Sequence, residues 1–297
     1  MVIEKKGKNL ILSDVSDFNL AQTMECGQCF HFVRLDEDPD DKYSEYEISA
    51  YGKYLHIAQE NDKFIFFDTS KKDFNDIWKN YFDLDRDYGK IKRYIAKRSP
   101  ELKDIIKQNR GIRILNQEFF ETMMSFIISQ NNRIPRIKGI VAAISRKWGR
   151  MLTDTMYAFP TPDEFCSACE DDFKDLKTGF RAGYLCDAIN KQKSTPGFEK
   201  LLRESDISKC SELLCTVKGI GPKVANCIML FGLGKREAFP IDVWMKRIME
   251  ELYFDSEKQS MPVLSELAKE KFGEYGGYAQ QYLFAYAREN GNNKNNG

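Results

Sequence analysis

Along this chain apolar residues first alternate with polar ones and then, past about residue 73, recur every third or fourth position. Residues 9–15, 29–35, 46–50, 54–58 and 64–67 are short runs rich in aromatic and β-branched side chains, with turn signals at Tyr51-Gly52-Lys53 and Glu60-Asn61-Asp62. Runs of this kind predict an antiparallel sheet. Farther on, Phe119, Met123 and Ile127 lie four apart, as do Phe120, Met124 and Ile128, which predicts a helix over 117–129. Ile137, Val141, Ile144 and Trp148 predict another over 134–148. Further helices are expected from Pro222, from Val243 to about Tyr253, from Pro262, and from Gly277 to Arg288. The fold class is therefore α+β. An N-terminal antiparallel β-sheet domain with flanking helices occupies 1–106, a mainly α-helical domain 107–290, and a disordered tail 291–297.

The chemistry concentrates in Val217-Lys218-Gly219-Ile220-Gly221-Pro222-Lys223 and in Phe239-Pro240-Ile241-Asp242-Val243. Gly219 and Gly221 let the backbone turn tightly and present bare N–H groups, and Pro222 suits the first position of a helix. A helix N-terminus behind a Gly-x-Gly loop is an anion site, and a backbone phosphate is the fitting anion. Lys223 stands in the first turn, where the positive end of the dipole disfavours another cation. Its ammonium either touches phosphate or, deprotonated, attacks a carbon as a nucleophile. Asp242 weighs toward the second role. It reads as the N-cap of the next helix, and a carboxylate that caps can also stabilise positive charge developing on a sugar.

Hairpin, lysine, and an aspartate nineteen residues after it together resemble the helix-hairpin-helix DNA glycosylases with a Gly-Pro/Asp loop, and among them the 8-oxoguanine DNA glycosylases. The likeness runs from about residue 10 to 290. It implies a base-excision repair enzyme acting on duplex DNA as a monomer, a glycosylase and abasic-site lyase that excises 8-oxoguanine without a cofactor. Lys223 would form a Schiff base with the sugar, and Asp242 would offset the charge on it. In Cys26-Gly27-Gln28-Cys29 the Gly27 carbonyl would accept the N7–H that 8-oxoguanine has and guanine lacks. Gln280 would meet the pairing edge of the flipped base, with Phe284 on one ring face, Cys227 on the other, and Pro240 and Phe231 in the same pocket. Asn131 would fill the gap left in the duplex, Arg136 and Arg181 would bond the orphaned cytosine, and Phe180 would wedge beside it in place of the family's usual tyrosine. Gly219 and Gly221 would hold phosphate. Phe231 stands where a methionine is usual and Trp244 where a phosphate-touching histidine is usual, and backbone carbonyls of Cys215, Val217 and Ile220 are where relatives hold a cation.

Composition qualifies this. With 297 residues, 42% of them hydrophobic, the chain can build two or three packed modules. Lys+Arg and Asp+Glu balance at 45 each, so a DNA face must arise by segregation of charge. Residues 122–153 hold no acid but carry Arg133, Arg136, Lys138, Arg146, Lys147 and Arg150, whereas 36–47 holds seven acids and one lysine. No apolar run approaches a membrane span and the N-terminus lacks a signal-peptide core, so the protein is expected to stay where it is made, and the resemblance implies the cytoplasm and nucleoid of a prokaryote or the nucleus of a eukaryote rather than secretion. Eight cysteines are expected as thiols; Cys26-x-x-Cys29 and Cys166-x-x-Cys169 are too dissimilar in context to share a metal. Only His31 and His56 exist, both N-terminal, which excludes histidine-based hydrolysis at the hairpin and leaves lysine and carboxylate chemistry. Two other readings stay open: a non-catalytic helix-hairpin-helix DNA-binding module, and a monofunctional glycosylase that removes alkylated bases with water.

Overall fold

The computed structural model describes residues 1–37, 42–165 and 168–294, with side chains to residue 287. Six antiparallel strands, β1 (Val2–Lys6), β2 (Asn9–Ser13), β3 (Phe32–Arg34), β4 (Tyr43–Ala50), β5 (Lys53–Glu60) and β6 (Lys63–Phe67), form one sheet in the order β1-β2-β6-β5-β4-β3. Strand β1 was not expected. Its Glu4-Lys5-Lys6 gives no alternation, and it exists by pairing along the edge of β2, Val2 opposite Ser13 and Ile3 opposite Leu12. Alternate residues Leu10 and Leu12, Tyr46 and Ile48, Leu55 and Ile57, and Phe64 and Phe66 point inward against Leu20, Met24, Phe74, Trp78 and Phe82.

The helices enclose a second core running from Tyr88, Ile91 and Ile95 through Met123, Ile127, Val141 and Ile144 to Leu214, Val224, Ile228 and Leu283. The boundary expected at 106 falls inside this core, because the apolar stripe of the Tyr88–Arg98 helix faces the helical body. Arg113 fastens the two parts. Almost fully buried, it donates to Asp83 O at 2.6 Å and Ser16 O at 2.8 Å while lying 4.4 Å from the centre of the Tyr88 ring. The helix Gly276–Lys294 runs past the expected end at Arg288 and takes in 291–294 of the expected tail. A helix already nucleated and docked by its first turns adds residues at little cost, even through Asn and Gly. Residues 295–297 of that tail, and 38–41 of the acidic run, lie outside the described residues.

At the seam, the Tyr51 N–H donates to Glu118 Oε2 at 2.6 Å, and burial, with Glu121 adding to it, pushes the Glu118 carboxyl from 4.5 up to about 7. The folded state thus holds a proton that the unfolded chain has released, so this group's contribution falls as pH rises from about 4.5 to 7. Glu118→Gln should flatten that dependence. Denaturant unfolding at pH 8 should find the variant more stable than the unsubstituted protein by up to about 3 kcal/mol, with the two alike at pH 4.5.

Candidate active site

The hairpin consists of the helices Ile207–Leu214 and Pro222–Gly232 joined by a seven-residue turn. Asp206 caps the first helix, accepting from Lys209 N at 2.8 Å. Within the turn Val217 N bonds Leu214 O and Ile220 N bonds Val217 O, while Lys218 N donates to Asp187 Oδ2 at 2.8 Å. The N–H groups of Gly219 and Gly221 find no acceptor among the described residues and sit at the start of the second helix, where an anion can be bound. Gly219 has φ +80, and a Cβ there would lie 2.2 Å from the Tyr184 ring, so no other residue fits. Of the three carbonyls named as a cation cradle, Val217 O already accepts one hydrogen bond.

Behind the hairpin lies a cavity of about 50 Å³ lined by Gly27, Phe126, Lys223, Cys227, Phe231, Pro240, Asp242, Gln280, Gln281 and Phe284. All eight residues assigned from sequence to catalysis and base recognition are here. Phe126 and Gln281 were missed: the first lies outside the apolar rows picked out in its helix, and the second sits beside Gln280 without a motif to mark it. Lys223 and Cys227 are one turn apart on the same helix. The Lys223 Nζ lies 5.8 Å from the centre of the Phe126 ring, which stacks on Phe231 at 5.4 Å and 10°. The aromatic floor thus sits beneath the amine, and Phe231 fills the methionine's place as half of a stacked pair. Burial pushes the Cys227 thiol up, with the neighbouring Lys223 pulling it the other way.

Asp242 caps the helix Val243–Tyr253 as expected, Oδ1 accepting from Met245 N at 2.8 Å. The same side chain belongs to the cavity lining. Asn226 ties this loop to the hairpin: Nδ2 donates to Pro222 O at 2.8 Å and Oδ1 accepts from Phe239 N at 3.2 Å. On the opposite wall Gly27 has φ +81, and Phe284 lies against it, 3.3 Å from where a Cβ would be. Its loop is pinned by Gln28, fully buried, whose amide donates to Thr23 O and Arg113 O and accepts from Leu115 N.

The residues expected to enter the duplex lie outside the cavity. Phe180 is 60% exposed on the short helical turn Gly179–Arg181 and meets Tyr184 edge-on at 6.0 Å, which links it to the hairpin glycine. Asn131 is exposed with φ +47, a backbone form that asparagine tolerates. Trp244 is half exposed under the Arg247 guanidinium. Arg136 donates to Lys177 O at 2.9 Å. Arg181 is held differently. It is buried, donating through Nε to Gln130 O and through Nη2 to Gln130 O and Asn131 O, with Nη1 on Thr178 O. Backbone carbonyls turned inward by these tight loops need donors, and Arg181 supplies them, so it holds the Asn131 loop in shape. The acid-free stretch is likewise less free than its composition implied. Lys147 pairs with Asp172, Arg150 bonds Gly52 O, and Lys138 and Arg146 lie over Phe32 and Tyr157.

Among the described residues no cluster of three or more metal-ligating side chains occurs; Cys26 and Cys29 are buried thiols, Cys169 is exposed, and Cys166 lies outside the described residues. No helix is long and apolar enough to cross a membrane. The family model for the 8-oxoguanine DNA glycosylase N-terminal domain matches residues 10–123, and that for the HhH-GPD superfamily of base excision DNA repair proteins matches 124–273. The chain belongs to the HhH-GPD superfamily. It carries the N-terminal domain of the family's 8-oxoguanine branch. The HhH-GPD match holds the hairpin, Lys223 and Asp242, the N-terminal match holds Gly27, and Gln280 and Phe284 lie beyond both.

Solved structures of HhH-GPD relatives superpose over nearly the whole chain. MBOgg1 in complex with a low-affinity DNA ligand is 40% identical, with TM-score 0.89 over 98% of this chain and 99% of that one. The 8-oxoguanine glycosylase/lyase of Clostridium acetobutylicum, in complex with DNA containing cytosine opposite 8-oxoguanine, is 38% identical, with TM-score 0.90 and the same coverage. The N-glycosylase/DNA lyase OGG1 of Arabidopsis thaliana is 32% identical over 203 residues, 64% of this chain and 55% of the plant protein.

Proposed function

We infer that this chain is a bifunctional DNA glycosylase and abasic-site lyase that excises 8-oxoguanine from duplex DNA in base-excision repair. The observation that carries the reading is a single cavity holding an amine, a carboxylate and the base-reading set Gly27, Cys227, Gln280 and Phe284, at the mouth of a phosphate-gripping hairpin. The names and bound DNA of the relatives support the same substrate. Extruding a base costs a few kcal/mol of stacking and pairing, offset by the wedge, the pocket and the backbone contacts. The deprotonated Lys223 amine bonds to C1′ as the glycosidic bond breaks; the bond's electron pair leaves with the base, and the proton shed by the amine follows it. Asp242 stabilises the positive charge on the sugar between these events. The ring then opens to a Schiff base, which acidifies C2′ so that the 3′ phosphate departs by β-elimination.

Recognition of the lesion rests on the Gly27 carbonyl, which accepts N7–H of 8-oxoguanine and would face a lone pair on guanine. Asn131 would fill the gap in the duplex, and Arg136 and Arg181 would meet the orphaned cytosine, Arg181 also shaping the Asn131 loop. The protein works where the DNA is, nucleoid or nucleus. Borohydride trapping on duplexes carrying 8-oxoguanine, an alkylated purine, or no damage tests the reading. A covalent adduct on the 8-oxoguanine duplex alone is expected. Base release from the alkylated duplex with no adduct would overturn it in favour of a water-using enzyme.

A further inference from the structure

Gln281 has no part in the chemistry above, yet it lines the cavity, is 3% exposed, and makes one hydrogen bond: its Nε2 donates to Gln280 Oε1 at 2.9 Å. Its own Oε1 is buried with no partner among the described residues. For stability alone an apolar side chain would serve better in this place, since a buried amide with one end unmet is unfavourable. Its single bond goes to the residue that meets the base.

A glutamine amide is nearly symmetric in shape and opposite in polarity, so turning it over exchanges donor for acceptor. That exchange matters here. The pairing edge of a guanine-type base offers the O6 acceptor beside the N1–H donor, and that of an adenine-type base offers the N6–H donor beside the N1 acceptor. A Gln280 amide free to turn reads either edge bidentately. With its Oε1 held by the Gln281 donor, one lone pair of that oxygen is taken, and the edge formed by the other lone pair and Nε2–H keeps one polarity. We propose that Gln281 is a specificity-determining positioning residue that fixes the Gln280 amide, so that the pocket accepts the lactam edge of 8-oxoguanine and refuses the amidine edge of 8-oxoadenine. This rests on the base-excision reading of the same cavity and deepens it.

The test is single-turnover release of 8-oxoguanine and of 8-oxoadenine from otherwise identical duplexes by the full-length protein and by Gln281→Leu and Gln281→Glu, with thermal melting of each. Leu removes the donor and should leave melting unchanged or raise it, while the ratio of 8-oxoguanine to 8-oxoadenine release falls about tenfold or more. Glu accepts where Gln281 donates, which turns the Gln280 amide over and should move the preference further toward 8-oxoadenine. A ratio unchanged in both variants would overturn the proposal, as would equal loss on both bases together with lowered melting, the mark of a purely structural residue. Failure of the broader reading looks different: the unsubstituted protein would be trapped by borohydride on a preformed abasic duplex yet release neither base.

Discussion

Lys223→Gln should abolish borohydride trapping and lower strand cleavage by about a thousandfold or more, as loss of a nucleophile does. Binding to lesion-containing duplex should survive, because on the proposed reading the phosphate is held by the Gly219 and Gly221 N–H groups, free of other acceptors among the described residues, and by the helix N-terminus rather than by this ammonium. Glutamine keeps most of the length and packing over Phe126 while removing the amine. Gel-shift titration alongside a single-turnover cleavage assay separates the two properties. Loss of binding and cleavage together would make Lys223 a phosphate contact and return the hairpin to a non-catalytic role.

Asp242→Asn should lower base excision by about a hundredfold to a thousandfold with little change in melting temperature. The residue does two things at once, and asparagine keeps only one of them. As an N-cap, asparagine is as good as aspartate, so the bond to Met245 N survives and the Val243–Tyr253 helix stays intact. The negative charge beside the reacting sugar is lost. Asp242→Ala should show the same kinetic defect plus about 1 kcal/mol of destabilisation from the missing cap. Unchanged excision in the asparagine variant would mean that the carboxylate only caps, and that charge on the sugar is met elsewhere.

What could be read in the sequence was what depends on local spacing. The rows from Phe119 to Ile128, the Ile134–Trp148 helix, Pro222 at a helix start and Asp242 as a cap all follow from neighbours a few residues apart, and the structure has them. The cavity set was legible only because the family resemblance joined Gly27 to Gln280 across some 250 residues. What escaped depends on contacts between distant segments. Strand β1 is specified by its partner rather than by its own pattern. The inward bonds of Arg181 were not legible because nothing nearby in sequence reveals that the carbonyls of Gln130 and Asn131 come to meet it. Along 122–153 the sequence could not show that Lys147 is paired with Asp172 or that Lys138 and Arg146 lie over the rings of Phe32 and Tyr157, although the other basic residues keep the stretch positive.

Asn226 carries a consequence for how the protein would search DNA. One amide joins the first turn of the lysine's helix to the loop that ends in Asp242, so the placement of the two groups is braced before any DNA arrives. A protein sampling many intact base pairs for each damaged one would then bring the catalytic pair already braced to every stop, leaving only the base pocket to open. Its dwell time per base pair is set by how long extrusion takes and how well the pocket retains what enters. Selectivity under this arrangement is a matter of residence, and a normal base escapes by leaving sooner than the fixed pair can react.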